Sequence, residues 1–325
     1  MKKKKIKNPL IRRIPRELLG DWKKYLVVAL FLILTIGFVS GMYVANESML
    51  VAANEGVTKY KLEDGHFELD KKADETLLSA TETGTKADVR RYYLDKAKKE
   101  LDEKLDEKAY PEADDEALDK SGEEIDDKYA DAEEKYELND PDFTEVPVKV
   151  YENFFRNEEE DYNNDGEAEG NIRVYAKNDN VDLACLLDGA FPEKADEIAT
   201  DRMHADNVGD EISVSGQRFK VVGLIAYVNY ATLHEKSTDM MFDAIKFDVA
   251  MVTQEGFDSL HKTVHYAYTW NYVDTPADEV EQKAKSDDFM KALLTQVVCD
   301  DIELEDYMPR YANPAINFAT DDMGS

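Results

Sequence analysis

The chain has 325 residues, of which 43% are apolar and 34% are charged, and its net charge is −31. This length allows roughly two domains, and the apolar content can build a packed core, so a wholly disordered chain is excluded. Residues 1–24 carry ten basic and two acidic side chains, a net of +8, which leaves −39 for the remainder. Because a region with this negative charge repels phosphate backbones, we exclude nucleic acid as its partner.

Residues 1–24 form a basic segment with scattered apolar side chains. Ile11, Ile14, Leu18 and Trp22 recur at helical spacing among arginines and lysines. This pattern predicts a short amphipathic helix on the cytoplasmic surface of a membrane, with Trp22 at the headgroup layer. For residues 1–9, a basic tail without helical structure is an equal alternative.

Residues 25–45 are 21 uncharged residues in a row, twelve of them Leu, Ile, Val or Phe. As a helix they would span about 30 Å, the thickness of the hydrocarbon core of a bilayer. A cleaved signal peptide is the alternative, but its apolar region is shorter, and Tyr43 stands where a cleavage site needs a small residue. We therefore predict a lipid-embedded anchor, with the basic flank in the cytoplasm and residues 46–325 outside.

The segment 88–140 is unusually charged, with 31 charged side chains in 53 residues. Disorder is one interpretation of such a composition. The sparse apolar residues nevertheless keep helical spacing on both sides of Pro111, which favours a charged helical hairpin or coiled-coil insertion. The residues of these two apolar stripes are Val89, Tyr93, Ala97, Leu101 and Leu105, then Leu118, Ile125, Tyr129, Ala132 and Tyr136.

Strand-like patterns begin at Val146. Residues 146–155, 171–177, 210–228 and 265–274 alternate or run apolar with Val, Tyr, Phe and Ile. A further strand should open at His66-Phe67, and the third segment should turn at residues 215–218. With helices predicted near 193–206 and 276–297, the fold class is α+β: one transmembrane helix followed by a mixed domain.

Few residues suggest a catalytic or metal-binding role. Asp161, Asn163 and Asp165, with Gly166, Glu167 and Glu169, match the opening of a calcium loop, but position 12 is Ile172 instead of Glu. The alternative is a polar turn between strands that end at Phe155 and start at Ile172.

Two further residue pairs could suggest metal or disulfide chemistry. His261 and His265 have a zinc-like spacing on a helix, yet the surrounding alternation predicts a strand, which would separate the rings by about 13 Å. Cys185 and Cys299 have no ligand pattern, so two separate thiols are expected. We predict no catalytic, cofactor-binding or metal residues.

Residues 189–225 resemble the MacB-like extracytoplasmic core domain of FtsX-like ABC transporter permeases. The matching positions are Gly189, Pro192, Glu197-Ile198, Val208-Gly209-Asp210 and Val221-Val222-Gly223. The basic segment and apolar run are similar to the first cytoplasmic and first transmembrane helices of that family. Positive φ would suit Gly189 and Gly209, a helix entry would suit Pro192, and a close backbone approach would suit Gly223.

The resemblance implies a non-enzymatic membrane subunit that relays the motion of a separate cytoplasmic ATPase to an outer domain. It implies the bilayer and that ATPase as partners, a second permease copy as a further candidate, and no cofactor. Family members return to the membrane three more times, so the chain is expected to be a C-terminally truncated permease. The alternative function is a single-pass anchored extracellular binding or adhesion protein, and an extracytoplasmic hydrolase ranks third.

Overall fold

The computed structural model describes residues 22–93, 95–96, 99, 143–204, 206–230, 233–235 and 243–312. The chain divides into two units, Met1–Glu55 with Thr320–Ser325, and Gly56–Ala319. The predicted amphipathic helix before Trp22 and nearly all of the predicted charged hairpin lie outside the described residues. Of the hairpin segment, residues 89–93 are helical and Val89 is buried.

The elements that are described from end to end are four helices and eleven strands, with short 3₁₀ turns at Val228–Tyr230 and Arg310–Ala312. The helices are α1 Trp22–Lys59, α2 Glu75–Thr83, α3 Gln254–Ser259 and α4 Glu279–Cys299. The strands are β1 Gly65–Leu69, β2 Val148–Glu152, β3 Phe155–Asp161, β4 Gly170–Ala176, β5 Cys185–Gly189, β6 Glu197–Asp201, β7 Glu211–Val214, β8 Gln217–Ala226, β9 Phe247–Val252, β10 Tyr266–Tyr272 and β11 Leu304–Pro309.

The first unit contains the apolar part of α1. Its 23 residues Trp22–Val44 are long and apolar enough to cross a membrane. Their described side chains are exposed, as expected of a helix whose apolar surface is covered by lipid. This finding agrees with the predicted anchor at residues 25–45 to within three residues, and α1 continues as a helix to Lys59.

A four-stranded antiparallel sheet forms one part of the second unit, in the order β11-β1-β10-β2. Alternation along β1 and β10 turns Phe67, Tyr268 and Trp270 toward a core that Phe289 of α4 and Leu77 of α2 complete. Asp278 caps the start of α4 by accepting a hydrogen bond from the Glu281 N–H. The predicted strands at His66-Phe67 and 265–274 and the predicted helix near 276–297 are confirmed.

The remaining seven strands form a second sheet in the order β5-β8-β6-β9-β4-β3-β7. Because β7 pairs with β8 as well as with β3, six of these strands close into a ring, a small barrel, and β5 extends from the far half of β8. The interior is a buried cluster with side chains from β4, β6, β7, β8 and β9, joined by Phe257 of α3 and by Leu260, the residue that follows α3. Its members are Ile172, Val174, Ile198, Ile212, Val214, Phe219, Val221, Ala250, Val252, Phe257 and Leu260.

Two predictions about this barrel are wrong. Residues 193–206 do not form a helix: a turn leads into strand β6, whose Ile198 and Ala199 face different cores. A strand buried on both faces loses the period-two pattern that would have identified it. The strand predicted to end at Phe155 ends earlier, as β2, at Glu152. A second strand, β3, starts at Phe155 and continues to Asp161, and its last four residues are acidic.

The other strand predictions near the barrel are confirmed with small shifts. Residues 171–177 correspond to β4, and residues 210–228 correspond to β7 and β8. The hairpin turn is tighter than predicted: Ser215 and Gly216, with φ of 48° and 82°, join Val214 directly to Gln217. Two consecutive residues with positive φ are typical of a type I′ hairpin turn.

Candidate functional site

The segment Tyr60–Asp64, here called the junction, directly follows α1 and is hydrogen-bonded into both sheets of the second unit. On one side, the Tyr60 hydroxyl donates to Sγ of Cys185 in β5 at 2.9 Å, and the Leu183 N–H, in the loop before β5, donates to the Tyr60 carbonyl at 2.8 Å. On the other, the Asp64 N–H donates to the Trp270 carbonyl in β10 at 2.8 Å, and its own carbonyl accepts from the Arg310 N–H at 2.7 Å. The junction is therefore hydrogen-bonded to both sheets of the second unit.

Side chains reinforce the junction. The Asp64 carboxylate accepts a hydrogen bond from the Tyr272 N–H at 3.0 Å and lies 3.2 Å from Nη1 of Arg310. The Glu63 N–H donates to Oδ1 of Asp182 at 2.9 Å. Burial and the neighbouring Glu63 carboxylate raise the pKa of Asp182 well above its usual value. Since these groups are buried, breaking their contacts would leave polar atoms unsatisfied.

The residues that carry the family resemblance lie on the β5 to β8 part of the second sheet. Gly189 and Gly223 face each other in the β5–β8 pair. Gly189 has a φ of 73°, and a Cβ on Gly223 would lie 2.2 Å from the Ala190 carbonyl oxygen, so both positions need glycine. Gly209 also has positive φ, as predicted.

Two further motif residues, Pro192 and Glu197, lie in the turn before β6 and at the start of β6. Pro192 does not enter a helix, because the chain turns and continues as β6. The Glu197 carboxylate accepts hydrogen bonds from the N–H groups of Glu193 and Lys194, and Nζ of Lys194 lies 2.7 Å from Oε1. These contacts lower the pKa of Glu197 to about 2. The motif residues therefore serve the fold.

The calcium-like loop, residues 162–169, lies between two strands as predicted, but these strands end at Asp161 and start at Gly170 instead of at Phe155 and Ile172. Its acidic side chains already have partners. The Asp161 carboxylate accepts from the N–H groups of Asp165 and Gly166 at 3.1 and 2.9 Å, and Asp165 accepts from the Glu167 N–H at 2.9 Å. Asp161, Asp165 and Glu169 are close enough to hold an ion, but their backbone partners already stabilise the loop.

The other candidate ligands are not brought together. His261 is exposed in the loop after α3, whereas the ring of His265 stacks on Phe155 and contacts the Glu68 carboxylate. Cys185 accepts a hydrogen bond from the Tyr60 hydroxyl at 2.9 Å, and Cys299 ends α4. Both cysteines are free thiols, which agrees with the prediction of separate thiols.

The barrel contains a cluster that the sequence analysis did not identify: Glu160 of β3, Asp248 of β9, and His204 and Asp206 of the loop after β6. Their exposed fractions are 1, 0, 7 and 7%, respectively. The Nε2 atom of His204 lies 3.4 Å from Oε2 of Glu160, and Nδ1 lies 3.2 Å from Oδ2 of Asp206. One potential ligand atom from each residue lies within 4.8 Å of the others.

Strand register explains how the barrel gathers these residues. Glu160 pairs with Gly170 and Asp248 pairs with Ile172, so both carboxylates flank the start of β4. Asp248 shares its face of β9 with Ala250 and Val252, which lie in the barrel interior. The loop after β6 brings His204 against them. The cluster therefore lies at one end of the apolar barrel core.

The electrostatics of this cluster are strongly perturbed. Burial raises the pKa of Glu160 to about 7, and burial together with Glu160 raises that of Asp248 well above its usual value. Burial alone would lower the pKa of His204, but Asp206, Asp248 and Glu160 outweigh it and raise the pKa to about 9. The carboxylates thus compete for a positive charge in a space closed to water.

Two solved structures are similar to this chain. The periplasmic region of MacB from Actinobacillus actinomycetemcomitans is 11% identical with a TM-score of 0.30, covering 58% of this chain and 80% of that one. The extracellular domain of the noncanonic ABC-type transporter YknZ from Gram-positive bacteria is 10% identical with a TM-score of 0.28, covering 54% and 88%. No protein-family model and no curated protein sequence matches the chain.

Proposed function

We propose that the chain is a membrane subunit of an FtsX-like ABC transporter. In this proposal α1 spans the bilayer with its N-terminus in the cytoplasm, and the second unit is an extracytoplasmic MacB-like domain. A separate ATPase subunit hydrolyses ATP, and this chain is not itself an enzyme. The lipid bilayer, that ATPase and a second copy of the chain are the proposed partners.

The observation that carries the proposal is the attachment of the junction. A relay needs a connection through which displacement of a membrane helix reaches the domain. The residues directly after α1 make hydrogen bonds with both sheets, at Cys185 of β5 through the Tyr60 hydroxyl and at Trp270 of β10 through the Asp64 N–H. A chain that only tethered a binding domain would need no such attachment, and a flexible linker would suffice.

The sequence resemblance supports the same proposal. The motif positions Gly189, Gly209 and Gly223 each take a conformation or a close contact that glycine permits. The apolar helix precedes them in the order expected of a permease.

The test uses the full chain, purified from native membranes in mild detergent. We expect an ABC ATPase to co-purify, and we expect ATP to change hydrogen exchange in β10. Two glycines inserted between Lys59 and Tyr60 should abolish that change while the ATPase stays bound. The matched control inserts two glycines between Asp274 and Thr275, in an exposed loop, and should retain the change.

Two outcomes would overturn the proposal. One is the absence of an ABC ATPase from the purified material, which would favour the anchored binding or adhesion protein. The other is an ATPase complex in which ATP leaves the exchange of β10 unchanged, which would mean that the domain receives no motion.

A further inference from the structure

We propose that Glu160, His204, Asp206 and Asp248 bind a single divalent transition-metal cation, of the zinc and manganese type, inside the barrel. The inference is independent of the proposed transport role. It rests on burial, on unsatisfied polar atoms and on the chemistry of the four side chains.

The cluster lacks internal compensation. Asp248 is fully buried, and among the residues that the structure describes neither of its carboxylate oxygens has a hydrogen bond of acceptable geometry; the backbone N–H of Val249 lies beside the carboxylate without meeting that geometry. Within the same described part of the chain, Oε1 of Glu160, Oδ2 of Asp206 and both ring nitrogens of His204 also lack hydrogen bonds of acceptable geometry. Buried polar atoms are nearly always satisfied, so this concentration calls for a missing partner.

Three carboxylates beside a neutral imidazole would carry −3, which is costly without water. The competing arrangement is an imidazolium that pairs with Glu160 and Asp206, whose oxygens lie 3.4 and 3.2 Å from its nitrogens. That arrangement still leaves both buried oxygens of Asp248 without a hydrogen bond of acceptable geometry in the described structure, whether the group is charged or protonated. A divalent cation would reach all four residues at once.

The spacing of the ligand atoms suits one ion. Zinc binds histidine nitrogens and carboxylate oxygens at about 2.0 to 2.2 Å in a tetrahedral arrangement, so its ligand atoms are about 3.3 to 3.6 Å apart. The four ligand atoms already lie within 4.8 Å of one another, so side-chain shifts of up to about 1 Å would complete the site. One imidazole among carboxylates suits zinc or manganese better than magnesium or calcium, which prefer oxygen ligands alone.

Such an ion would hold the loop after β6 against β3 and β9. His204 and Asp206 belong to that loop, whereas Glu160 and Asp248 belong to the barrel wall. Metal binding should therefore stabilise the folded domain and order the loop that leads to Val208 and Asp210.

The test uses the full untagged chain in detergent, stripped with a chelator and titrated by calorimetry with zinc or manganese chloride. We expect one tight equivalent of zinc or manganese and a higher Tm, with much weaker effects from magnesium and calcium. Asp248→Asn should weaken binding about tenfold or more, because it replaces a charged ligand by a neutral amide.

The matched control is Glu158→Gln, which alters a buried carboxylate on the same face of β3 and should leave the affinity unchanged. Cobalt provides a second readout, since its visible spectrum should change in His204→Gln. If Asp248→Asn fails to fold by circular dichroism, Glu160→Gln and His204→Gln decide the question.

The proposal is overturned if neither zinc nor manganese binds at one equivalent. It is also overturned if the cluster variants bind as tightly as the unaltered chain, because the ion would then sit on the acidic surface.

Discussion

Glu160 and Asp161 are consecutive residues at the end of β3, yet their carboxylates are compensated in different ways. Asp161 opens an exposed loop and accepts two hydrogen bonds from that loop's own backbone. Glu160 points into the barrel, where its neighbours are a histidine and two further acids, and Oε1 receives no hydrogen bond from the described residues.

An acidic site can therefore have the residue spacing of a metal motif without needing a metal to satisfy its oxygens, and the reverse also holds. The loop has the spacing of a calcium site, but its oxygens already accept hydrogen bonds. The barrel cluster has no spacing signature, but its oxygens are buried without hydrogen bonds in the described structure. A bound ion is favoured most where unsatisfied atoms would otherwise remain.

The largest expected effect concerns Glu158, a third acid on β3. It is fully buried, and it accepts hydrogen bonds from the Ser215 hydroxyl and the Lys262 N–H. Glu158→Ala should lower the free energy of unfolding by about 3 kcal/mol, because two donors lose their acceptor. Glu159→Ala, at an exposed neighbour, should cost less than about 1 kcal/mol. Urea unfolding measures both, and equal losses would contradict the role assigned to the hydrogen bonds.

A smaller loss is expected in the loop. Asp161→Ala should lower the free energy of unfolding by about 1 kcal/mol, since water can partly replace the two lost hydrogen bonds at this exposed site. The loss should be the same with and without millimolar calcium, measured by thermal unfolding. Calcium that raised the Tm of the unaltered chain but not of Asp161→Ala would show that the loop does hold an ion.

In the metal-free protein, a substitution in the barrel cluster is expected to raise the free energy of unfolding instead of lowering it. Asp248→Asn should raise the free energy of unfolding by about 1 kcal/mol, because it removes a buried carboxylate that accepts no hydrogen bond from the described residues. Asp161→Asn is the matched control and should not stabilise. If Asp248→Asn destabilises the chelated protein, the carboxylate must already be compensated without a metal.

The sequence predicted the parts of this molecule whose signals are local. The apolar run, the alternation of β10 and the hairpin at Ser215-Gly216 each depend on neighbouring residues, and each is confirmed. Strand β6 was mistaken for a helix because a strand buried on both faces has no alternation.

The cluster could not be predicted because it depends on closure of the barrel. Its residues come from three separate stretches, and their approach follows from the pairing of β4 with β3 and β9. Among 71 acidic residues, no local feature marks Glu160 and Asp248 as buried. The only local indication was that the acids Glu158 and Glu160 alternate along β3. Because this segment is so acidic, however, it was not recognised as a strand.

The smallest effect concerns a satisfied acid and histidine pair, which sharpens the contrast with His204. Nδ1 of His66 lies 2.8 Å from the buried Glu63 carboxylate. Burial lowers the pKa of His66, but Glu63 and Asp306 outweigh burial and the weaker opposing charge of Arg173, so the pKa is raised above 6.5. The pair's contribution to stability is therefore complete below pH 6.5 and is lost as pH rises through the raised pKa.

His66→Gln should remove this pH dependence. The difference in unfolding free energy between the unaltered chain and the variant should be largest near pH 6 and should shrink toward pH 8. It should stay below about 1 kcal/mol, since His66 is partly exposed and solvent screens the pair. Urea unfolding across this range measures it in chelated protein. A difference that grew with pH would mean that His66 stabilises the fold in its neutral form. Histidines in this fold would then balance the charge of carboxylates only together with a further cation.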